Sequence, residues 1–511
     1  MNQLLNSSYP ISDVNLAQAP KRRSGPATKA RLMGTNDLPV VAIIGGGFTG
    51  AATAWNLARS GERLHIVVFE PRTSLGAGVA YDTDELVHRT NVPAVRMSID
   101  PDHPDDFVEW LAENGYAGRD PAAMTHDGSI FPRRGAFGDY VATRVAPYLA
   151  QGSIQHVQKH VISLSRREAG WTITTADGIL HDAARVIVAT THPAPKAPRL
   201  LATVLEGHPR FIADATVTEA LEPIRESDAV LVVGNGLTSA DVIASLLHRG
   251  HKGPITSISR RGLRSRGHAA GRQDPYGDFT SRPIRSARLL TRCIREAIRQ
   301  AEIFGVSWHA VLDAARAQGR EIWRNLPAAE RLRFVRHLRP FWDVHRFRIA
   351  PQIEMALAEA SARGQLETFA ASVAEVSYHG SRIRFALKRA HSAGTVIRDF
   401  DAVVVTTGPA HGAIIDSQPY LADLTSNGLV IADPTRLGLW CDEHSRILDH
   451  EGWPVRDLYV AGPLARGTFG ELMGLPQVSE HAASVAREVI ASIKIAVGKD
   501  AAADISPNLK R

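Results

Sequence analysis

The sequence predicts an α/β fold built from two Rossmann-like dinucleotide-binding domains, a discontinuous first one with the second inserted into it, plus an α-helical insertion. Three observations predict it. A β-branched run near the start ends in a glycine-rich turn and a helical pattern. The same strand, turn and helix recur in mid-chain. A basic stretch with helical apolar spacing then interrupts the second unit. At 511 residues, 44% hydrophobic and 22% charged, the chain has apolar mass for about two to four domains. No run approaches the roughly 18 apolar residues of a membrane span, so a membrane protein is not expected. The net charge of +6 is modest for the length and argues against a general polyanion binder. Cys293 and Cys441 form neither a disulfide framework nor a Cys-x-x-Cys pair, so no metal is expected and a cytoplasmic home fits.

Residues 1–37 mix polar, basic, Pro and Gly residues without periodicity, and are expected to form a solvated tail rather than a signal peptide. The first unit opens with PVVAII at 39–44, a short run of the kind buried in parallel sheets. It leads into Gly45-Gly46-Gly47-Phe48-Thr49-Gly50 and a helical pattern to Arg59. Gly45 permits the tight turn, Gly47 lets backbone approach a pyrophosphate, and Gly50 lets helix and strand pack closely. Phe48 and Thr49 begin the helix, whose free N–H groups and dipole favour phosphate. A second strand, HIVVF at 65–69, ends at Glu70, twenty residues after Gly50 and placed to accept a ribose hydroxyl, with Pro71 and Arg72 following.

The second unit begins with DAVLVV at 228–233 and turns through Gly234-Asn235-Gly236-Leu237-Thr238-Ser239. Ser239 replaces the third glycine, and the position matching Glu70 is Ser259, followed by Arg260 and Arg261. A hydroxyl and two guanidiniums suit a 2′-phosphate, which an acid would repel. The first site therefore reads as FAD and the second as NADPH, one held permanently and the other delivering hydride to it. Segments at 185–193 (with Thr190) and 402–409 (with Gly408) resemble the crossings that join the domains of flavoprotein reductases. The segment at 457–463 resembles the strand carrying the flavin ribityl contact, although Pro463 stands where an acid is usual. The expected division is a tail at 1–37, the FAD domain at 38–193 and 395–497, the NADPH domain at 194–394 with its helical insertion at about 281–365, and a tail at 498–511.

Residues 260–348 carry 20 basic against 8 acidic side chains, a local +12 against −6 elsewhere. Leu290, Ile294 and Ile298 share one helical face. The charge could draw NADPH and an anionic substrate toward the flavin, or simply solvate a helical face. Nucleic-acid binding is not expected, because no aromatic platform or known motif accompanies the charge.

Several segments together resemble the bacterial FAD-NAD(P)-binding family: residues 76–81 (GAGVAY), 88–98 (HRTNVPAVRMS), 134–140 (RGAFGDY), 342–351 (WDVHRFRIAP) and 462–471 (GPLARGTFGE). The resemblance spans roughly residues 38–495 and extends, more loosely, to class B flavin monooxygenases that N-hydroxylate amines. It covers enzymes similar to a urate hydroxylase and to nitrosuccinate-forming amino-acid N-oxygenases. It implies that Gly78, Tyr81, Asn91, Met97, Arg134 and Phe137 line the flavin, with Gly462, Gly467, Thr468, Phe469 and Glu471 near its pyrimidine side. Gly470 stands where such sequences often carry Trp, implying a larger pocket there. His345, Arg346, Arg348 and Arg466 are the candidates for catalysis, the first three forming the expected substrate-facing turn. With no redox cysteine pair, molecular oxygen is the acceptor left by elimination. The expectation is a monooxygenase that adds oxygen to a small nitrogen-containing substrate through a C4a-hydroperoxyflavin. Two other readings stay open: an NADPH oxidase or electron-transfer reductase, and a non-catalytic flavin-binding regulatory protein.

Overall fold

A computed structural model describes residues 38–191, 193–390, 394–408 and 411–505, with backbone alone at 411 and 497–505. The expected tail at 1–37 lies outside the described residues. The first glycine turn leaves Val40–Ile44, the middle of a six-stranded sheet. Its order runs Arg446–Leu448, Pro454–Val460, Arg185–Val188, Val40–Ile44, His65–Phe69, Ile154–Val157. All neighbours are parallel except the outermost pair, Arg446–Leu448 against Pro454–Val460. Strands from both ends of the chain thus share one sheet, which makes this domain discontinuous as expected. Their apolar runs are buried because helices cover the faces. Phe48–Arg59 packs on the sheet, and the long helix Gln477–Ile505 packs on Phe48–Arg59. The latter continues past the expected boundary at 497, since the Ala-rich sequence there favours helix.

The second sheet has seven strands, ordered Thr395–Phe400, Arg382–Arg389, Leu366–His379, Ile255–Ser259, Val230–Val233, Ala402–Val405, Phe211–Ile212. Five are parallel, and the first two extend Leu366–His379 as an antiparallel meander. This corrects the division at 394. Both Thr395–Phe400 and Ala402–Val405 pair into the second sheet, so the second domain ends beyond Val405.

The helical insertion is shorter than the expected 281–365. Helices from Ala287–Ile303 to Arg339–Arg346 enclose their own core of Phe279, Leu290, Val311, Ile322 and Trp323, joined by Leu437 from the first domain. Pro351 then starts a fresh helix, Pro351–Ala362. Its Ile353, Leu357 and Ala360 stripe belongs to the core of the second domain, against the helix Leu237–His248. Among the described residues no helix is long and apolar enough to cross a membrane.

Candidate functional site

Gly45 adopts φ +100°, and a Cβ on Gly50 would lie 1.9 Å from the Gly45 carbonyl oxygen. Strand, turn and helix therefore meet with no room for a side chain at that point. Gly47 caps the helix without any side-chain hydrogen bond, leaving its first N–H groups for an anion. Glu70 is buried at the strand end. Its Oε2 accepts from Gly46 N at 2.9 Å, and its Oε1 from Arg72 N at 3.1 Å and Arg72 Nη1 at 3.0 Å. The carboxylate is thereby fixed beside the turn, while Pro71 stays exposed. Gly78 lies directly against Gly47. Elsewhere in the first domain, Asn91 Oδ1 and Thr90 Oγ1 are buried with no hydrogen-bond partner among the described residues. Buried acceptors are rarely left so, and they fit a bound polar group. Together these features fit FAD.

The other residues expected at the flavin have the following surroundings. Phe137 is fully buried among Phe48, Phe107 and Tyr140, with Tyr81 4.7 Å away, and Met97 is core as well. Burial pushes the Tyr81 hydroxyl up to about 12. Arg134 reaches across the domain interface, where its Nη2 lies 2.8 Å from Asp241 Oδ2 on the helix Leu237–His248. His88 and Glu85 meet the same helix through Ser245 and Arg249. Thr190 bonds the Tyr420 hydroxyl. Gly462 abuts Thr49 and donates its N–H to His481 Nδ1 at 3.0 Å, where the family pattern places an acid next in sequence. Gly467 sits against Asp433, Thr468 donates to the Cys441 carbonyl, and Phe469 packs on the His481 ring.

The second turn is more open. Gly234 adopts φ +129° against Thr406, but a Cβ on Gly236 would meet nothing within 4 Å. Gly236 also caps its helix, Leu237 and Thr238 leading it, without a side-chain hydrogen bond. Ser239 donates to Gly236 O at 3.0 Å. Asn235 bridges Ser257 and Ser259, which holds the turn to the strand end. Arg260 and Arg261 are exposed there, Arg261 lying over Phe341. Gly408 follows Ala402–Val405 in an open position.

Three segments meet around a cleft of about 890 Å³: Pro93, Val95 and Arg96 of the first domain, His268 and Arg348 of the second, and His309 and Asp313 of the insertion. That volume is in the range of small-molecule sites. Arg348 Nη2 lies 2.9 Å from Asp313 Oδ1, and Arg96 reaches the same carboxylate. Burial works to raise the Asp313 carboxyl, but Arg348 and Arg96 outweigh it and hold it below the usual range. Burial, aided by Arg348, pushes His268 down to about 4, and burial lowers His309 too. Both imidazoles are therefore neutral at pH 7, and the cleft keeps its cationic arginines. His268 bonds the Asn91 carbonyl oxygen through Nε2 at 3.1 Å.

The candidate turn divides. Arg348 lines this cleft, whereas His345 is turned back onto Phe341 O, its ring edge-on to Trp308. Arg346 is buried and paired with Glu471, which also accepts from Trp342 Nε1 at 3.2 Å. Burial works to raise Glu471, yet Arg346, Arg316 and Arg466 hold it below its ordinary value. Arg466 is buried with Asp343 as its nearest carboxylate, at 3.8 Å. Gly470 lies against Trp323 of the insertion, 2.6 Å from where a Cβ would stand, and both residues line a small cavity. Sequence reasoning missed Arg96, His268, His309, Asp313 and Arg316. Only the fold brings these scattered residues together.

Residues 42–193 match the family model described as FAD-NAD(P)-binding. No curated protein matches the chain. Among solved structures, an L-lysine 6-monooxygenase from Pseudomonas syringae is 17% identical with a TM-score of 0.59, over 90% of this chain and 100% of that one. The reduced form of an ornithine hydroxylase from Pseudomonas aeruginosa is 16% identical with a TM-score of 0.58, over 89% and 100%. An ornithine N-hydroxylase from Kutzneria sp. 744, solved with reduced FAD, NADP+ and L-ornithine, is 15% identical with a TM-score of 0.57, over 89% and 99%. At such identities the likeness is one of fold, extending over both dinucleotide domains. The expected α/β architecture is borne out.

Proposed function

We propose that the chain is an FAD- and NADPH-dependent monooxygenase that hydroxylates a small, anionic, nitrogen-containing substrate. The observation that carries the reading is the pair of uncapped glycine turns on two sheets of one chain, one beside a buried acid and the other beside exposed arginines. When bound, FAD supplies the hydride-accepting and oxygen-activating chemistry. The protein's part is to bind, orient and shield. The Gly46–Gly47 backbone and Glu70 would hold the flavin nucleotide's pyrophosphate and ribose. Ser259, Arg260 and Arg261 would hold the 2′-phosphate of NADPH. The cleft, lined by Arg96, Arg272 and Arg348 and also by Asp127, Asp274, Asp313 and Glu354, would seat the substrate and limit water around the reacting atoms.

A thiol relay does not compete for the electrons. Cys293 and Cys441 are both free, and burial pushes the Cys441 thiol up to about 12, far from a reactive thiolate. The solved relatives named above hydroxylate lysine or ornithine, which supports an amine nitrogen as the reacting atom. The test is a screen of NADPH consumption against amino acids, purines and amines, with product masses and peroxide measured together. The expected result is one substrate that gains an oxygen atom while peroxide falls. Stoichiometric peroxide with every candidate would favour the oxidase reading instead, and a flavin that NADPH does not bleach without oxygen would leave only a binding role.

A further inference from the structure

A second cavity, of about 70 Å³, lies between the helical insertion and residues 466–471, and no residue lines both it and the large cleft. Ile294, Trp323, Phe334 and Trp342 give it apolar walls, and the charged Arg339, Arg466 and Glu471 line it too. The charges around these three do not cancel. Arg339 and Arg466 share Asp343, Arg346 takes Glu471, and among the described residues Arg316 has the neutral acceptors Leu475 O and Gln477 Oε1 in hydrogen-bond reach. Asp313 also acts on Arg316 but is already shared by Arg348 and Arg96, so among the described residues six guanidiniums meet three carboxylates. Arg316, Arg346 and Arg466 are each more than nine-tenths buried.

Arg466 is the telling member. Its Nε has one long bond to Gly470 O at 3.4 Å, its Nη2 lies 3.8 Å from Asp343 Oδ1, and its Nη1 has no hydrogen-bond partner. A buried guanidinium on a cavity wall with an unused donor carries a desolvation cost that an anion would offset. Excess positive charge among low-dielectric walls strengthens that attraction. The cavity is about half the roughly 150 Å³ of an engineered apolar cavity that takes benzene, which leaves room for about three or four heavy atoms. Apolar walls with an unused guanidinium donor suit a flat carboxylate carrying about one further carbon.

We infer that this cavity binds a small carboxylate, or the carboxylate end of a longer molecule, with its oxygens on Arg466 and its hydrocarbon against Trp323 and Trp342. The site does not depend on the oxygenase reading, because it is assembled from the protein's own side chains. Two sources share this chemistry: the substrate's own carboxylate, and a separate small acid.

Two tryptophans in the wall provide a signal that needs no turnover. Acetate and acetamide, nearly equal in size and each of four heavy atoms, are titrated against the fluorescence of the purified holoprotein. The expected result is a saturable response to acetate, with acetamide at least about tenfold weaker. Arg466→Met should weaken acetate by about tenfold or more, with Arg466→Lys between the two. Should Arg466→Met fail to fold, Ile294→Phe decides, because it adds bulk to the apolar lining and leaves every charge in place. It should abolish the response. Equal affinity for acid and amide, or an acetate response unchanged in Ile294→Phe, would overturn the inference. Competitive inhibition of turnover by acetate assigns the site to the substrate, and binding without inhibition assigns it to a separate acid.

Discussion

At the first glycine turn a Cβ on Gly50 would lie 1.9 Å from a backbone carbonyl, whereas the matching place in the second turn holds Ser239, whose hydroxyl bonds Gly236 O at 3.0 Å. The strand after the first turn ends in buried Glu70, tied to the turn by the Gly46 N–H. The strand after the second ends in Ser259 and two exposed arginines. One plan has thus been built twice, once closed and once open. A crowded turn with a fixed acid suits a nucleotide that stays, and an open one fringed with mobile guanidiniums suits a nucleotide that exchanges each turnover. Breaking the crowding should therefore hurt the first turn far more than the second.

The largest effect is expected from Gly50→Ala. The clash is with backbone, which yields only if strand and helix separate, so a loss of about 3 kcal/mol or more is expected. Thermal denaturation of the holoprotein, with flavin content measured by absorbance, should show a lowered Tm and less bound FAD. Ser239→Ala in the same assay gives up one buried hydrogen bond, worth about 1 kcal/mol, and should keep its flavin. Equal damage from the two would remove the distinction between closed and open turns.

The next effect concerns the charges. Arg260→Ala with Arg261→Ala should raise the KM for NADPH by about 10- to 100-fold, because hydrogen bonds to a charged phosphate are worth about 1.5–3 kcal/mol in all. The KM for NADH should change little, since it has no phosphate at that position. Steady-state kinetics with both coenzymes checks this. Parallel losses would show that the arginines act through general charge rather than through the 2′-phosphate.

These contrasts also mark what the sequence made legible. Val230–Val233 and Ala402–Val405 are read as buried strands because parallel sheets leave no polar face, and Glu70 follows from its spacing after Gly50. Which sheet Thr395–Phe400 and Ala402–Val405 would join was not legible, because membership depends on pairing with Arg382–Arg389 and Val230–Val233 rather than on local pattern. The site shows the same divide. The fold sets Arg134 against Asp241 and Arg346 against Glu471, 125 positions away in sequence, and neither pairing could be read locally. A guanidinium carries no local mark of its partner. Gly470 is the clearest instance: its missing side chain reads as added space, and only the fold sets Trp323 from a distant helix beside it at the wall of a small cavity.

Gly236→Ala is expected to have the smallest effect on the fold, and for that reason it sharpens the comparison most. Its φ is negative and a Cβ would touch nothing within 4 Å, so the protein alone has no steric need for glycine there. The change should cost under about 1 kcal/mol, mostly through a poorer helix cap. The methyl group would nevertheless stand over the uncapped helix N-terminus, where a pyrophosphate must approach backbone N–H groups. Tm and flavin content should therefore stay near the parent values while the KM values for NADPH and NADH rise together, in contrast to the selective loss from the arginine pair. If neither coenzyme weakens, the phosphates are not held at this helix end, and the assignment of the second turn fails even though its fold is intact.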